Sequence, residues 1–206
     1  MGMNAIRAAA IAVVVGALAT ACAPGNNSPQ ASAPQQAQER HVLHGYPLDR
    51  SLEGLTSWKQ LDAVVIVDGL DYHKAVKLSG SAGGVTAIVT PAAGRVKTNL
   101  YGRLKDGAAI STVLGGGTVG NVSVTAGEEL TPDRAQLTKA PQLVIAGEFV
   151  TTPELGTVLD PLFVYRLDAD GTLTSLIESG SNDARPSFTL TQLTERLKAR
   201  PAANLK

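Results

Sequence analysis

The sequence predicts a mainly β domain, a small antiparallel barrel or sandwich with a short N-terminal helix and a C-terminal helix. Three observations lead there. At least six short runs rich in Val, Ile, Thr and Leu are separated by Gly- and Asp-bearing turn signals. Helical periodicity is confined to two short stretches, so strands do not alternate with long helices as a parallel α/β sheet requires. Aromatic residues make up only 4% of a chain that is 44% hydrophobic, so small and β-branched side chains must build the core.

In chain order, SLEGLTSWKQL (51–61) places Leu52, Leu55 and Trp58 at three-residue steps behind Asp49 or Ser51 as N-cap, the pattern of a short packed helix. Trp58 reads as the anchor of that helix in preference to a ligand platform. DAVVIVDGL (62–70) is a compact β-branched run and the best central strand. GGVTAIVTPAA (83–93) and GRVKTNLYGRLKDG (94–107) follow as two pieces. Val96, Thr98 and Leu100 alternate with Lys97, Asn99 and Tyr101, the period of a half-buried strand. Lys105–Asp106–Gly107 is a turn signal. AISTVLGGGTVGNVSVTAG (109–127) predicts two short strands about a glycine loop. PQLVIAGEFVTTPE (141–154) predicts a strand that bends at Gly147, and DPLFVYRL (160–167), DADG and TLTSLIES (172–179) a hairpin. The last helix, at about 190–199, has Leu190, Leu193 and Leu197 on one face, a Thr189/Gln192 capping box, and Lys198 and Arg200 at its end. Covering one end or an open edge of a sheet is the expected task of that helix.

With 206 residues the chain has room for one domain. The formal net charge is zero, and about −1 once residues 1–21 and their single Arg7 are set aside. Such a chain has no positive field to attract phosphate backbones, so nucleic acid is excluded as a partner class. One cysteine rules out an intrachain disulfide, which leaves stability to the hydrophobic core.

That cysteine, Cys22, closes a segment with the layout of an export signal. MGMNAIR carries one positive charge, and an apolar run of about a dozen residues follows, too short to cross a ~30 Å hydrocarbon core. Leu18–Ala19–Thr20–Ala21–Cys22 resembles the lipobox of bacterial lipoproteins, with the leucine one place further from the cysteine than usual. The resemblance implies a lipidated Cys22 as first residue of the mature chain. Ordinary signal-peptidase cleavage at the A-x-A signal of Ala19 and Ala21, with Cys22 incidental, and an uncleaved anchor are the alternatives. Each buried acyl CH₂ contributes ~0.8 kcal/mol, so two or three chains hold firmly. Residues 23–40, with three prolines, four glutamines and no aliphatic side chain larger than Ala, cannot bury enough surface to order themselves and predict a tether. The organisation expected is therefore a signal peptide at 1–21, lipidated cysteine and tether at 22–40, and one β-rich domain at 41–206.

The chain offers several chemical motifs, none in its required context. Gly115–Gly120 spells G-x-G-x-x-G, but a strand-like NVSVTAG follows where a dinucleotide site needs a helix. Aligning Gly171 of DADG with the calcium-loop glycine puts Arg166 at the first ligand position, which leaves a turn. His41 and His44 lie three apart, a spacing open to adventitious metal binding only, and His73 stands among charged neighbours. Ser79, Ser81, Ser111, Ser123 and Ser181 lack a G-x-S-x-G or S-x-x-K setting. Glu148, Glu154, Asp160, Asp168 and Asp170 could supply a carboxylate pair, although periodicity forces no two together. The sequence thus nominates Cys22 for lipidation and no catalytic, cofactor or metal residue.

The strand at 62–69, the turn at 105–107, PQLVIAGEFV (141–150) and FVYRLDADGTL (163–173) occur in an order that resembles the small secreted lipoproteins of actinobacteria and some other Gram-positive bacteria. Asp68 stands where glycine is common in them, and 144–150 lacks their long apolar extension. The resemblance implies a β-rich domain without an assigned activity. The expected function is a membrane-anchored, non-enzymatic envelope protein on the extracytoplasmic side, binding a protein or other envelope component. Its anchorage is the plasma membrane's outer face, or an outer membrane in a Gram-negative cell. An envelope hydrolase with a carboxylate- or serine-based site is the alternative.

Overall fold

The computed structural model describes residues 39–43, 48–79, 87–127, 131–132, 134–177 and 185–200. The export segment, Cys22, most of the tether, His44, Ser81 and Ser181 lie outside them. The elements are β1 (Glu39–Leu43), α1 (Leu52–Ser57), β2 (Ala63–Val67), β3 (Asp71–Tyr72), β4 (Val76–Leu78), β5 (Ala87–Tyr101), β6 (Ala109–Gly115), β7 (Gly117–Val119) and β8 (Val122–Ala126). The second half holds α2 (Arg134–Lys139), β9 (Leu143–Thr152), β10 (Gly156–Leu167), β11 (Thr172–Ser175), β12 (Ser187–Thr189) and α3 (Leu190–Lys198). β1 takes in Glu39 and Arg40, the last two residues of the tract read as tether.

Of the two architectures predicted, the chain adopts the barrel. β10, β6, β5, β2 and β9 pair in that order, and β9 pairs back onto β10 to close a five-stranded ring. Four seams are antiparallel; the fifth, β6 with β10, is parallel and meets at Thr112 and Leu159. β11 and β12 extend the sheet beyond β10, while β1, β8 and β7 form a separate three-stranded sheet.

A five-stranded ring encloses a narrow space, and the aromatic-poor composition fits it. Ala63, Val65, Val67, Val96, Ile110, Leu143, Ile145, Leu159 and Val164 fill the interior, and Leu137 and Ala140, from α2 and its end, join them. The alternate residues of β2 and β9, Val64, Ile66, Val144 and Ala146, point outward into a second core with Phe163, Tyr165 and Phe188. β2 is therefore buried along its whole length, as expected of a central strand. Leu55 of α1 and Leu193 and Leu197 of α3 cover this outer face. The C-terminal helix thus lies over the flank of the barrel together with α1, not over a bare end or edge.

Local sequence explains the helix ends. The Ser51 side chain accepts from the Gly54 amide to cap α1, and Asp49 accepts from the Ser51 amide. α3 has the predicted capping box, Thr189 and Gln192 each bonding the other's backbone. The buried Tyr165 hydroxyl donates to the Arg50 carbonyl at 2.9 Å, which ties the lead-in of α1 to β10. Burial holds that phenol above its ordinary range.

Several sequence expectations are revised. The pieces at 83–93 and 94–107 merge into β5, whose one side takes β4, β3 and β2 in turn and whose other side takes β6. Its alternation is broken: pairing with β2 skips Lys97 and Leu100, so Val96 faces the interior and Leu100 packs against the outer core. The hairpin strand begins at Gly156, not residue 160, because 153–155 turn β9 into β10. Gly147 sits within the continuous strand β9. It admits the backbone of β10, since an ideal Cβ there would lie 1.8 Å from the Asp160 carbonyl oxygen, and the bulge falls on β10 at Leu162. α2 has no counterpart in the sequence reading.

One buried side chain bridges the parallel seam. Thr112 is fully buried, and its hydroxyl donates to the Leu159 carbonyl at 2.7 Å. Thr112→Val keeps the shape and removes that donor; it should lower stability by about 1–3 kcal/mol in denaturant unfolding. Thr118→Val, at an exposed position, should change it by less than about 0.5 kcal/mol.

Candidate functional site

Three consecutive glycines build the first candidate site. β6 ends at Gly115, and the chain leaves the barrel for β7 through Gly116 (φ +88°) and Gly117 (φ +138°). Both positions lack room as well as backbone freedom. A Cβ on Gly116 would lie 2.7 Å from the Val124 carbonyl oxygen, and one on Gly117 2.5 Å from the Ala75 Cβ. The corner is pinned to β5: Gly116 donates its amide to the Ile88 carbonyl at 2.9 Å, and the Thr90 hydroxyl donates to the Gly116 carbonyl at 2.9 Å. The glycine run expected as a flexible hairpin loop is thus a tight corner between two sheets, and β7 follows it, not a helix.

Beside the corner lies an open cleft of about 370 Å³. Leu114 and the three glycines form one wall; Val124, Thr125 and Ala126 of β8, with Thr131 and Pro132, form another. Arg134, at the start of α2, is the one charged side chain among the described residues of the lining. Its guanidinium lies 4.5 Å from the centre of the Tyr72 ring, a cation–π contact that restricts where the charge points. Burial raises the Tyr72 hydroxyl's pKa, with the Arg134 charge opposing it.

A second constellation lies on the outer face of the β9–β10 hairpin. Glu148 and Asp160, two of the five carboxylates considered from sequence, are direct cross-strand partners. The Trp58 indole donates to Glu148 Oε1 at 3.0 Å, and its ring meets Phe163 edge-to-face at 6.2 Å, so Trp58 is the anchor the sequence suggested. Burial, and then the Glu148 charge, raise the pKa of Asp160.

The remaining candidates serve turns and strands. Asp168 pairs with Arg166 at 2.9 Å, and Asp170 accepts the Thr172 amide in the DADG turn, which lowers its pKa. Glu154, lowered by hydrogen bonding from Ser79, accepts the Ser79 amide at 2.9 Å. Ser123 shares a hydrogen bond with Thr118, Ser111 is exposed on β6, and His73 is exposed with its amide on the Pro91 carbonyl. No group of three metal-ligating side chains occurs among the described residues. Neither Arg134 nor the Glu148–Asp160 pairing emerged from sequence reasoning. Arg134 lies on the helix that was missed, and the pair depends on hairpin register.

The fold and these two constellations define a small closed barrel with one helix-covered flank and a glycine-cornered cleft at its rim. No protein-family model matches the chain, and neither a curated protein nor a solved structure does.

The raised carboxyl makes stability depend on pH. The folded chain keeps the Asp160 proton to higher pH than the unfolded chain does. The resulting stability is complete below the ordinary aspartate value of about 3.9 and is lost as pH rises through the raised one. Asp160→Asn should therefore unfold at higher denaturant concentration than the parent at neutral pH, with the gap closing in acid.

Proposed function

We propose that this protein is a lipid-anchored envelope protein, held outside the cytoplasmic membrane through Cys22, whose barrel is a non-enzymatic binding domain. The observation that carries the binding half is the cleft at the glycine corner. Its walls combine apolar side chains, threonine hydroxyls and, among the described residues, one charge. Phe149 is the one exposed large hydrophobic side chain among the described residues, which supports a small ligand over a protein docked on an apolar patch. Arg134 favours a ligand with a carboxylate or similar anionic group on a short apolar body. The anchor half rests on the sequence around Cys22 and on the tether after it.

The hydrolase alternative has the Glu148–Asp160 pair as its supporting observation. That pair is partly covered by Trp58 and is not part of the lining of the cleft at the glycine corner, which favours the binding reading.

Two measurements test the proposal. Cys22→Ser should release the protein from membranes and abolish labelling by a fatty-acid probe; unchanged labelling would remove the anchor. In ligand-observed NMR, short-chain carboxylates should bind the parent, and Arg134→Gln should weaken them about tenfold or more, the worth of a charge-assisted hydrogen bond. Equal binding of matched amines, or no effect of Arg134→Gln, contradicts the cleft assignment.

A further inference from the structure

The rung formed by Glu148 and Asp160 joins the barrel to its helical cover. Opposed cross-strand residues have Cβ atoms about 4.5–5.5 Å apart, and like charges there repel. The surrounding structure holds the rung in place. Asp62, just before β2, accepts the Phe149 amide at 2.8 Å and donates its own amide to the Gly147 carbonyl at 2.9 Å. Gly147 in turn lies against the Asp160 backbone with no room for a side chain. The two carboxyls therefore cannot relieve their repulsion by sliding along the strands. Glu148 also accepts the indole hydrogen of Trp58, the residue that ends α1.

We propose that Glu148 and Asp160 form a proton-operated latch on α1. With Asp160 protonated, Glu148 holds the Trp58 indole and the helix stays seated on the barrel. With Asp160 ionised, its repulsion from Glu148 strains the rung open and the indole loosens. This inference is independent of the ligand cleft and of the lipid anchor.

The groups around Asp160 fit this assignment. From β9 it faces Glu148, and at the head of β2 the Asp62 carboxylate is occupied by the Phe149 amide. Across the parallel seam, β6 (AISTVLG) contributes no titratable side chain. On the helix side, Glu53 stands exposed in the first turn of α1, and Lys59 is exposed beyond its end. The Arg200 guanidinium, arriving from the end of α3, donates to the Thr56 carbonyl at 2.7 Å and to the Trp58 carbonyl. Arg200 thus keeps the backbone of Trp58 in place, so release of the latch acts on the indole first. Burial and Glu148 both push Asp160 toward its protonated form, the form the closed latch uses.

Trp58 is the single tryptophan of the chain, so its emission reports the latch directly. The full-length protein is titrated from about pH 4 to about pH 8, the interval above an ordinary carboxylate, with emission, acrylamide quenching and the indole N–H proton shift recorded. Emission should move to the red, quenching should rise and the indole proton should move upfield as pH increases. Asp160→Asn should hold the acid-form signal throughout. Glu148→Gln keeps an oxygen acceptor for the indole and removes the repulsion, so its profile should be flat too. A parent protein with pH-independent emission overturns the latch, and so does either variant titrating as the parent does.

Discussion

Closure of the ring at β6 and β10 is the constraint on which the rest of the structure depends. Each other seam pairs a strand with an antiparallel neighbour; this one joins parallel strands at a single register position, Thr112 with Leu159. Without it, β6 and the part of β10 before the bulge would be bare edges, and Leu159, Ile110 and Leu114 would lose the closed wall that keeps water from the interior. The Leu162 bulge makes closure possible. One side of β10 runs along β9, while its other side meets β6 before the bulge and β11 after it. Gly147 lets the two backbones come close at the same level. A glycine on one strand and an extra residue on its partner thus steer a strand out of one pairing and into the next.

Closing the ring has a consequence on its outside. A strand buried within a barrel still presents its alternate residues outward, and Val64, Ile66, Val144 and Ala146 form an apolar flank that must be covered. α1 and α3 supply the cover, short helices whose own apolar faces carry few residues. Polar ties reinforce them: Tyr165 to the Arg50 carbonyl, Trp58 to Glu148, and Arg200 to the last carbonyls of α1, with its guanidinium also near the Tyr101 ring. Arg200 does for α1 what a basic residue in its own last turn would do, a residue that α1 lacks. The helical cover and the carboxylate rung are thereby one mechanical unit.

Much of this was legible where the determinants are local. The capping box of α3, the DADG turn, the cap of α1 and the doubly buried β2 follow from residues within a few positions of each other. What escaped is set at long range. The skips of β5 at Lys97 and Leu100 arise from pairing with β2, so the alternation around Val96 was right locally and wrong in which face Leu100 takes. α2 is a six-residue helix held by Leu137 entering the barrel, and a stretch so short carries almost no periodic signal. The glycine run could be read as a loop because composition gives backbone freedom without the crowding that fixes it; only the proximity of Val124 and Ala75 makes it a corner. Glu148 and Asp160 are twelve residues apart in sequence, and their pairing became visible only once the turn at 153–155 set the hairpin register.

The closed ring is tested most directly by native-state hydrogen exchange across the β6–β10 seam. If the seam closes the barrel, the backbone amides of β10 around Leu159 and of β6 around Thr112 exchange only through global unfolding, with the same free energy as those in the centre of β2. Seam amides that exchange through local opening, orders of magnitude faster than those of β2 and β9, would show an open sheet and contradict the ring.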